Sequence, residues 1–250
     1  MNQAKVLNFF GLLLMMFGLS FAIPLFVAFF YGENLIKVFG LGMSILVLLG
    51  FLSWFFTKDN KQELSLSDGF VITVLFWIVL SVSGSIPFLL FGFSVVDSFF
   101  ESMSGITTTG ATVIAGLDDL PKSLLIYRQL LQWLGGMGLI VLAIAVMPLL
   151  GIGGGQLFKT QTPGPMSEQR LTPRITSTAR ALWSIYFVLT VLCILAYRLA
   201  GMNNFDAVSH AFSTVSIGGF STHDLSIGFF NSLSIEIVCI TFMLLSAMSF

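Results

Sequence analysis

The distribution of charge along these 250 residues constrains the fold more than any motif does. Uncharged runs separate short charged clusters: 27 residues between Lys5 and Glu33, 20 between Lys37 and Lys58, 28 between Asp68 and Asp97, 30 between Arg128 and Lys159, and 17 between Arg180 and Arg198. About 20 apolar residues in a helix cross the hydrocarbon core of a bilayer, so each run has the length of one span. A sixth begins near Asn231 and is still apolar at Phe250. Charged residues make up 9% of the chain, against roughly 25% in soluble domains. With 56% hydrophobic residues, too little polar surface is left to cover a water-soluble globule. A secretory signal peptide does not fit the first run, because its apolar core would be only about 7 to 15 residues. The net charge of -1 offers no basic field for nucleic acid. Cys193 and Cys239 lie in apolar stretches with no His or Cys at metal-ligand spacing and read as small core hydrophobes.

Lys and Arg set the orientation. Six spans put Lys5, Lys58, Lys61, Lys159, Arg170, Arg174 and Arg180 on one side, and Lys37, Lys122, Arg128 and Arg198 on the other. The richer side is expected to be cytoplasmic. Trp54, Trp133 and Trp183 fall near expected span ends, where indoles favour the interface.

Two stretches fit neither a span nor a simple loop. Between the third and fourth spans, Gly92 to Thr112 contains Asp97, expected to be an N-cap, followed by Phe99, Phe100 and Met103 at helical spacing. A helix over 98–105 rises about 1.5 Å per residue and stops short of mid-membrane, so the chain must turn back. The return, Thr107-Thr108-Thr109-Gly110-Ala111-Thr112, is β-branched and glycine-containing, which is poor helix material. Non-helical backbone at membrane depth is tolerated only where protein buries it or where it lines a polar cavity. A row of carbonyls on such backbone replaces an ion's water shell, which is how an ion filter is made.

The arrangement recurs 109 residues later. Pairing Gly92 with Gly201 also pairs Asp97 with Asp206, Ser104 with Ser213 and Gly110 with Gly219 without a gap, and Thr107 and Thr112 meet Ser216 and Ser221. The four identities in 22 positions matter because the order of features is also the same: Asp cap, short helix, hydroxyl residues, glycine. Ordinary Ser/Gly-rich outer loops are the plainer alternative. If these are filters, the backbones of Thr107, Thr108, Thr109 and Gly110, and of Ser216, Ile217, Gly218 and Gly219, supply the carbonyls, with the glycines taking angles that a Cβ disfavours. Asp118, Asp119 and Asp224 lie on the outer side, as cation attractors or as solvated loop acids.

The run Phe99 to Thr112, together with Arg128-Gln-Leu-Leu-Gln-Trp133-Leu-Gly-Gly-Met-Gly138 and Ser216-Ile-Gly-Gly-Phe-Ser-Thr-His-Asp224, resembles the Trk family of bacterial potassium uptake proteins in its TrkH/TrkG branch. That resemblance implies an all-α integral membrane fold of repeated helix, re-entrant pore loop and helix units of K⁺-channel-like type, with two extra N-terminal transmembrane helices. On it the chain divides into the N-terminal pair (1–67), a first repeat (68–158), a cytoplasmic linker (159–176) and a second repeat (177–250) cut within its last helix. It implies potassium uptake through four such repeats in the bacterial cytoplasmic membrane, no cofactor other than K⁺ as the transported ion, a homodimer, and a cytosolic nucleotide-binding regulatory subunit of the TrkA type. Only two filter segments are present, so the chain is expected to be the N-terminal half of a longer one, or to need partners to close a pore.

Other chemistry fails on context. Gly151-Ile-Gly153-Gly154-Gly155 follows an apolar span rather than a strand, and no Gly-Lys-Ser/Thr completes a phosphate loop. His210 and His223 have no second imidazole or cysteine to complete a metal site, and His210 stands in the repeat opposite Glu101. Glu236 lies near the start of the sixth span and is expected to stay hydrated. No spacing argues for Ser/His/Asp catalysis. The competing class is a secondary transporter for a small solute with re-entrant loops.

Overall fold

The structure is a computed structural model that describes residues 3–58, 66–146 and 172–249. Among these, regular structure is entirely helical. The first span is two helices, α1 (Gln3–Ser20) and α2 (Ala22–Tyr31), broken at Phe21. Pro24 has no N–H to give the Ser20 carbonyl, so the helix yields there. Gly32, at φ 68, ends α2 by donating its N–H back into the last turn, and Glu33 N donates to Ala28 O at 2.8 Å.

α3 (Ile36–Thr57) returns alongside α1. Small residues let the two backbones approach closely: a Cβ on Gly11 would lie 2.8 Å from the Gly50 carbonyl, and one on Gly18 2.9 Å from Leu46 Cβ. This N-terminal pair docks on the rest through Tyr127. Its ring meets Phe21, Phe39 and Phe88 with centroids 5.3 to 5.4 Å away, and its hydroxyl donates to Gly84 O at 2.7 Å.

Two helix, short helix, helix units follow. In the first, α4 (Leu66–Phe91) leads into α5 (Val95–Ile106), and an irregular return leads to α6 (Lys122–Val146). In the second, α7 (Thr172–Leu199), α8 (Asn204–Val215) and α9 (Leu233–Ser249) repeat that order. The α1–α2 pair, α3, α4 and α7 are long and apolar enough to cross a membrane, and α9 is a shorter apolar helix. Exposed Leu, Phe, Ile and Val on their outer faces fit a lipid environment.

The fourth span is not placed where its charge-free run suggested. α6 begins at Lys122, so Arg128 lies two turns inside it and is fully buried, not on an outer loop. Trp133 is half-buried against the second unit: its indole N–H donates to Thr190 Oγ1 at 3.0 Å and its ring stacks on Phe212. The glycine run 151–155 and the linker charges Lys159 and Arg170 lie outside the described residues.

Candidate functional site

The short helices start one turn earlier than expected. Ser94 caps α5, its hydroxyl accepting from Asp97 N at 3.1 Å and donating to Asp97 Oδ2 at 2.7 Å. Asn203 does the same for α8, with Asp206 N at 2.9 Å and Asp206 Oδ2 at 2.6 Å. Asp97 and Asp206 are therefore not the N-caps. Each is the third helical residue, where a carboxylate reaches back to the cap and meets the positive end of the helix dipole. α5, at 12 residues, is about 18 Å long and spans little more than half of the hydrocarbon core.

The second unit reproduces the first almost bond for bond in the 109-residue register. Thr107 N donates to Met103 O, Thr108 N to Gly105 O and Thr109 N to Ser104 O; Ser216 N, Ile217 N and Gly218 N donate to Phe212, Thr214 and Ser213. Thr107 Oγ1 and Ser216 Oγ bond the same carbonyls as their own backbone N–H groups. The chain then alternates hand: Thr108 has φ 54 and Gly110 φ 77, while Ile217 has φ 55 and Gly219 φ 84. Left-handed φ at two β-branched residues costs of order 1–3 kcal/mol each and persists only where surroundings enforce it. Sequence alone named Thr108 and Ile217 as filter residues but gave the special backbone angles to the glycines, because no residue-type signal marks a β-branched residue forced into the left-handed region.

Past the glycines each return strap is tied to its own short helix. Thr112 Oγ1 donates to the Glu101 carboxylate at 2.9 Å and accepts from Ile114 N at 3.1 Å. Ser221 Oγ occupies the matching place, accepting from His223 N at 3.1 Å and meeting His210 Nε2 at 2.9 Å. The His210 Nδ1 partner is the Asp206 carbonyl, which can only accept, so Nδ1 carries the proton and Nε2 accepts from Ser221. His210 is thus a structural hydrogen-bonding residue that stands where the first unit has a carboxylate.

That carboxylate has a buried cation. Arg128 Nε and Nη2 both reach Glu101 Oε1 at 2.7 Å, and neither side chain has any exposed surface. Nη2 also donates to Thr112 Oγ1 at 3.0 Å, Nη1 donates to the Ser221 carbonyl at 3.0 Å, and the guanidinium lies 4.4 Å from the Phe220 ring centre. One arginine therefore ties the first short helix, the first return strap and the second. The straps also touch directly, since a Cβ on Gly110 would overlap the Gly218 carbonyl oxygen.

At the outer end the acids are engaged rather than free. Asp224 accepts from Gly116 N and Leu117 N, both at 3.1 Å, so the second return caps the turn after the first. His223 lies between Asp118 and Asp206 and stacks on Phe229 at 3.5 Å. Of the three outer acids singled out, Asp119 is solvent-exposed and takes no part in this latch. Glu236 is exposed in the first turn of α9. Cys193 is buried against the α7–α8 core and Cys239 packs on the same cluster.

The hydrogen bond from His223 holds the Asp118 carboxyl below its usual range, with Asp224 N assisting. A depressed acid stabilises the fold above its unfolded pKa and loses that contribution as pH falls through its folded value. The melting-temperature difference between wild type and Asp118→Asn is therefore expected to be present at pH 7 and to shrink below about pH 4. A difference that stays constant to pH 3 would argue against the latch.

Apolar spans, paired helix, turn-back and helix units, and two matched left-handed straps define an all-helical membrane protein built from repeated re-entrant units. The profile of the TrkH family, described as a cation transport protein, matches residues 35–250. The chain belongs to that family. It is 52% identical over 253 residues to the Trk system potassium uptake protein TrkH of Halomonas elongata, covering 100% of this chain and 52% of that protein. It is 47% identical over 243 residues to the Trk system potassium uptake protein TrkG of Escherichia coli K12, covering 96% of this chain and 50% of the other. The crystal structure of the potassium transporter TrkH from Vibrio parahaemolyticus matches with a TM-score of 0.86 at 48% identity, over 99% of this chain and 50% of that one. The chain spans about half the length of the curated relatives it matches. Its relatives are named for potassium uptake, which is transport and not an enzymatic conversion. The family and the apolar helices make this a multi-pass protein of the bacterial inner membrane.

Proposed function

We propose that this chain supplies two walls of a K⁺-selective pore, and that the whole protein takes up potassium through four such units. The observation that carries this reading is the matched backbone at Thr108/Gly110 and Ile217/Gly219. This reading takes the carbonyls of Thr107 to Gly110, and of Ser216 to Gly219, as the groups that substitute for water around an ion, and the alternating hand of the backbone supports it. Both short helices end at these segments, so their negative dipole ends favour a cation there. The relatives' names supply the ion: they are potassium uptake proteins. Residues 1–67 serve as a peripheral helix pair, 68–158 and 177–250 as the two pore units, and 159–176 as a cytoplasmic connection. Assembly as a homodimer and gating by a cytosolic nucleotide-binding subunit of the TrkA type follow from the family resemblance.

Rubidium flux into liposomes containing the full native polypeptide tests this. Uptake that K⁺ competes strongly, Na⁺ weakly and uncharged solutes not at all is the expected result. Competition by an uncharged solute would favour a secondary transporter with re-entrant loops instead.

A further inference from the structure

Gln132 stands one helical turn beyond Arg128 on α6, on the same face, and is also fully buried. Its Oε1 accepts from Phe220 N at 3.0 Å in the second strap. That bond fixes the orientation of the amide, because only the oxygen can accept, so the Nε2 end occupies the other side. A Cβ on Gly218 would lie over the whole amide, overlapping Cδ, 2.5 Å from Oε1 and 2.7 Å from Nε2, and one on Gly110 would lie 3.7 Å from Nε2. The amide thus touches the second strap at two points and lies beside the first. Among the described residues its Nε2 has no hydrogen-bond partner, although leaving a buried amide donor unpaired is destabilising.

We infer that Gln132 is a positioning residue for ion selectivity: its amide, braced on Phe220 N, is the spacer that sets how far the second filter segment at Gly218 stands from α6, and so where it sits beside the first at Gly110. This rests on the filter reading above. Carbonyl spacing decides whether an ion's lost water is replaced at the right distance, so a spacer one methylene shorter changes which ion fits. Glycine is required at 110 and 218 partly because the spacer and the opposite backbone already fill the space that a Cβ would take.

The test uses Gln132→Asn and Gln132→Glu in the full native polypeptide, with rubidium uptake measured against rising Na⁺. Asn shortens the spacer, and a loss of K⁺ over Na⁺ discrimination of at least about tenfold is expected, equal to about 1.4 kcal/mol between the two ions. Glu keeps the length and the acceptor for Phe220 N but places a carboxylate oxygen where Nε2 was. It is expected to lower the apparent KM for both ions and narrow the gap between them. Either variant, at wild-type melting temperature and with an unchanged Na⁺ competition curve, overturns the inference. So does a fall in protein level alone with competition unchanged, which is what a merely structural role predicts. If Asn prevents folding, the isosteric Glu variant decides. Gly110→Ser and Gly219→Ser run in parallel: altered selectivity there with none at Gln132 refutes the spacer alone, whereas no change in any of the four refutes the filter reading itself.

Discussion

Gly110→Ser is expected to cut discrimination between K⁺ and Na⁺ at least tenfold, about 1.4 kcal/mol, when compared with wild type at matched expression. Two separate effects act at this position. Its φ of 77 is a conformation that L side chains rarely adopt, and a Cβ there would overlap the Gly218 carbonyl oxygen of the neighbouring strap. Gly219→Ser meets only the first effect among the described residues, where no atom lies within 4 Å of the added Cβ at φ 84, and the smaller loss is expected there. Gly105→Ser suggests itself from the sequence as a control, being on the short helix and not the strap. The structure disqualifies it: a Cβ at 105 would lie 2.9 Å from Leu131 Cβ, so the substitution pushes α5 off α6. Gly228→Ala, with nothing within 4 Å and an ordinary φ, is the proper control. The measurement is rubidium uptake against rising Na⁺ at matched expression. Selectivity equal to wild type in both glycine variants would return the small-solute transporter to first place.

Arg128→Leu is expected to be the most destabilising single change. It leaves the Glu101 carboxylate buried without its cation and removes the donor to the Ser221 carbonyl. Breaking a buried pair from one side costs about 3–5 kcal/mol, or roughly 6–20 °C in melting temperature for a chain of this size. Glu101→Leu combined with Arg128→Leu removes both charges, and much of the stability is expected to return. Transport is not expected to return with it, because the second strap stays untied from the first. Thermal unfolding in detergent and rubidium uptake separate the two effects. A single variant that melts within about 2 °C of wild type would show that the pair does not hold the straps.

The spans, the 109-residue repeat and the two filter stretches are readable from the chain itself, because each is a local property. A run of about 20 apolar residues, a glycine four places past a short amphipathic helix, and a repeated order of residue types need no knowledge of what lies opposite. Even so, local reasoning set the caps one turn late: Ser94 and Asn203 were overshadowed by the acids three residues on, which bond them in return.

What the tertiary structure decided is which polar groups inside the spans meet. Arg128 looked like a boundary charge, since a lone arginine beside an apolar run ordinarily marks the membrane surface. Its partners are 27 and 93 residues away, and that of Gln132 is 88 residues away. No hydrophobic period encodes such a pairing. It exists because α6 packs between α5 and α8, where burying a charge or an amide is tolerated only against a matching group on another element. The sequence therefore determined where the backbone must leave the helix, and the packing of α6 determined how the two departures are held against each other.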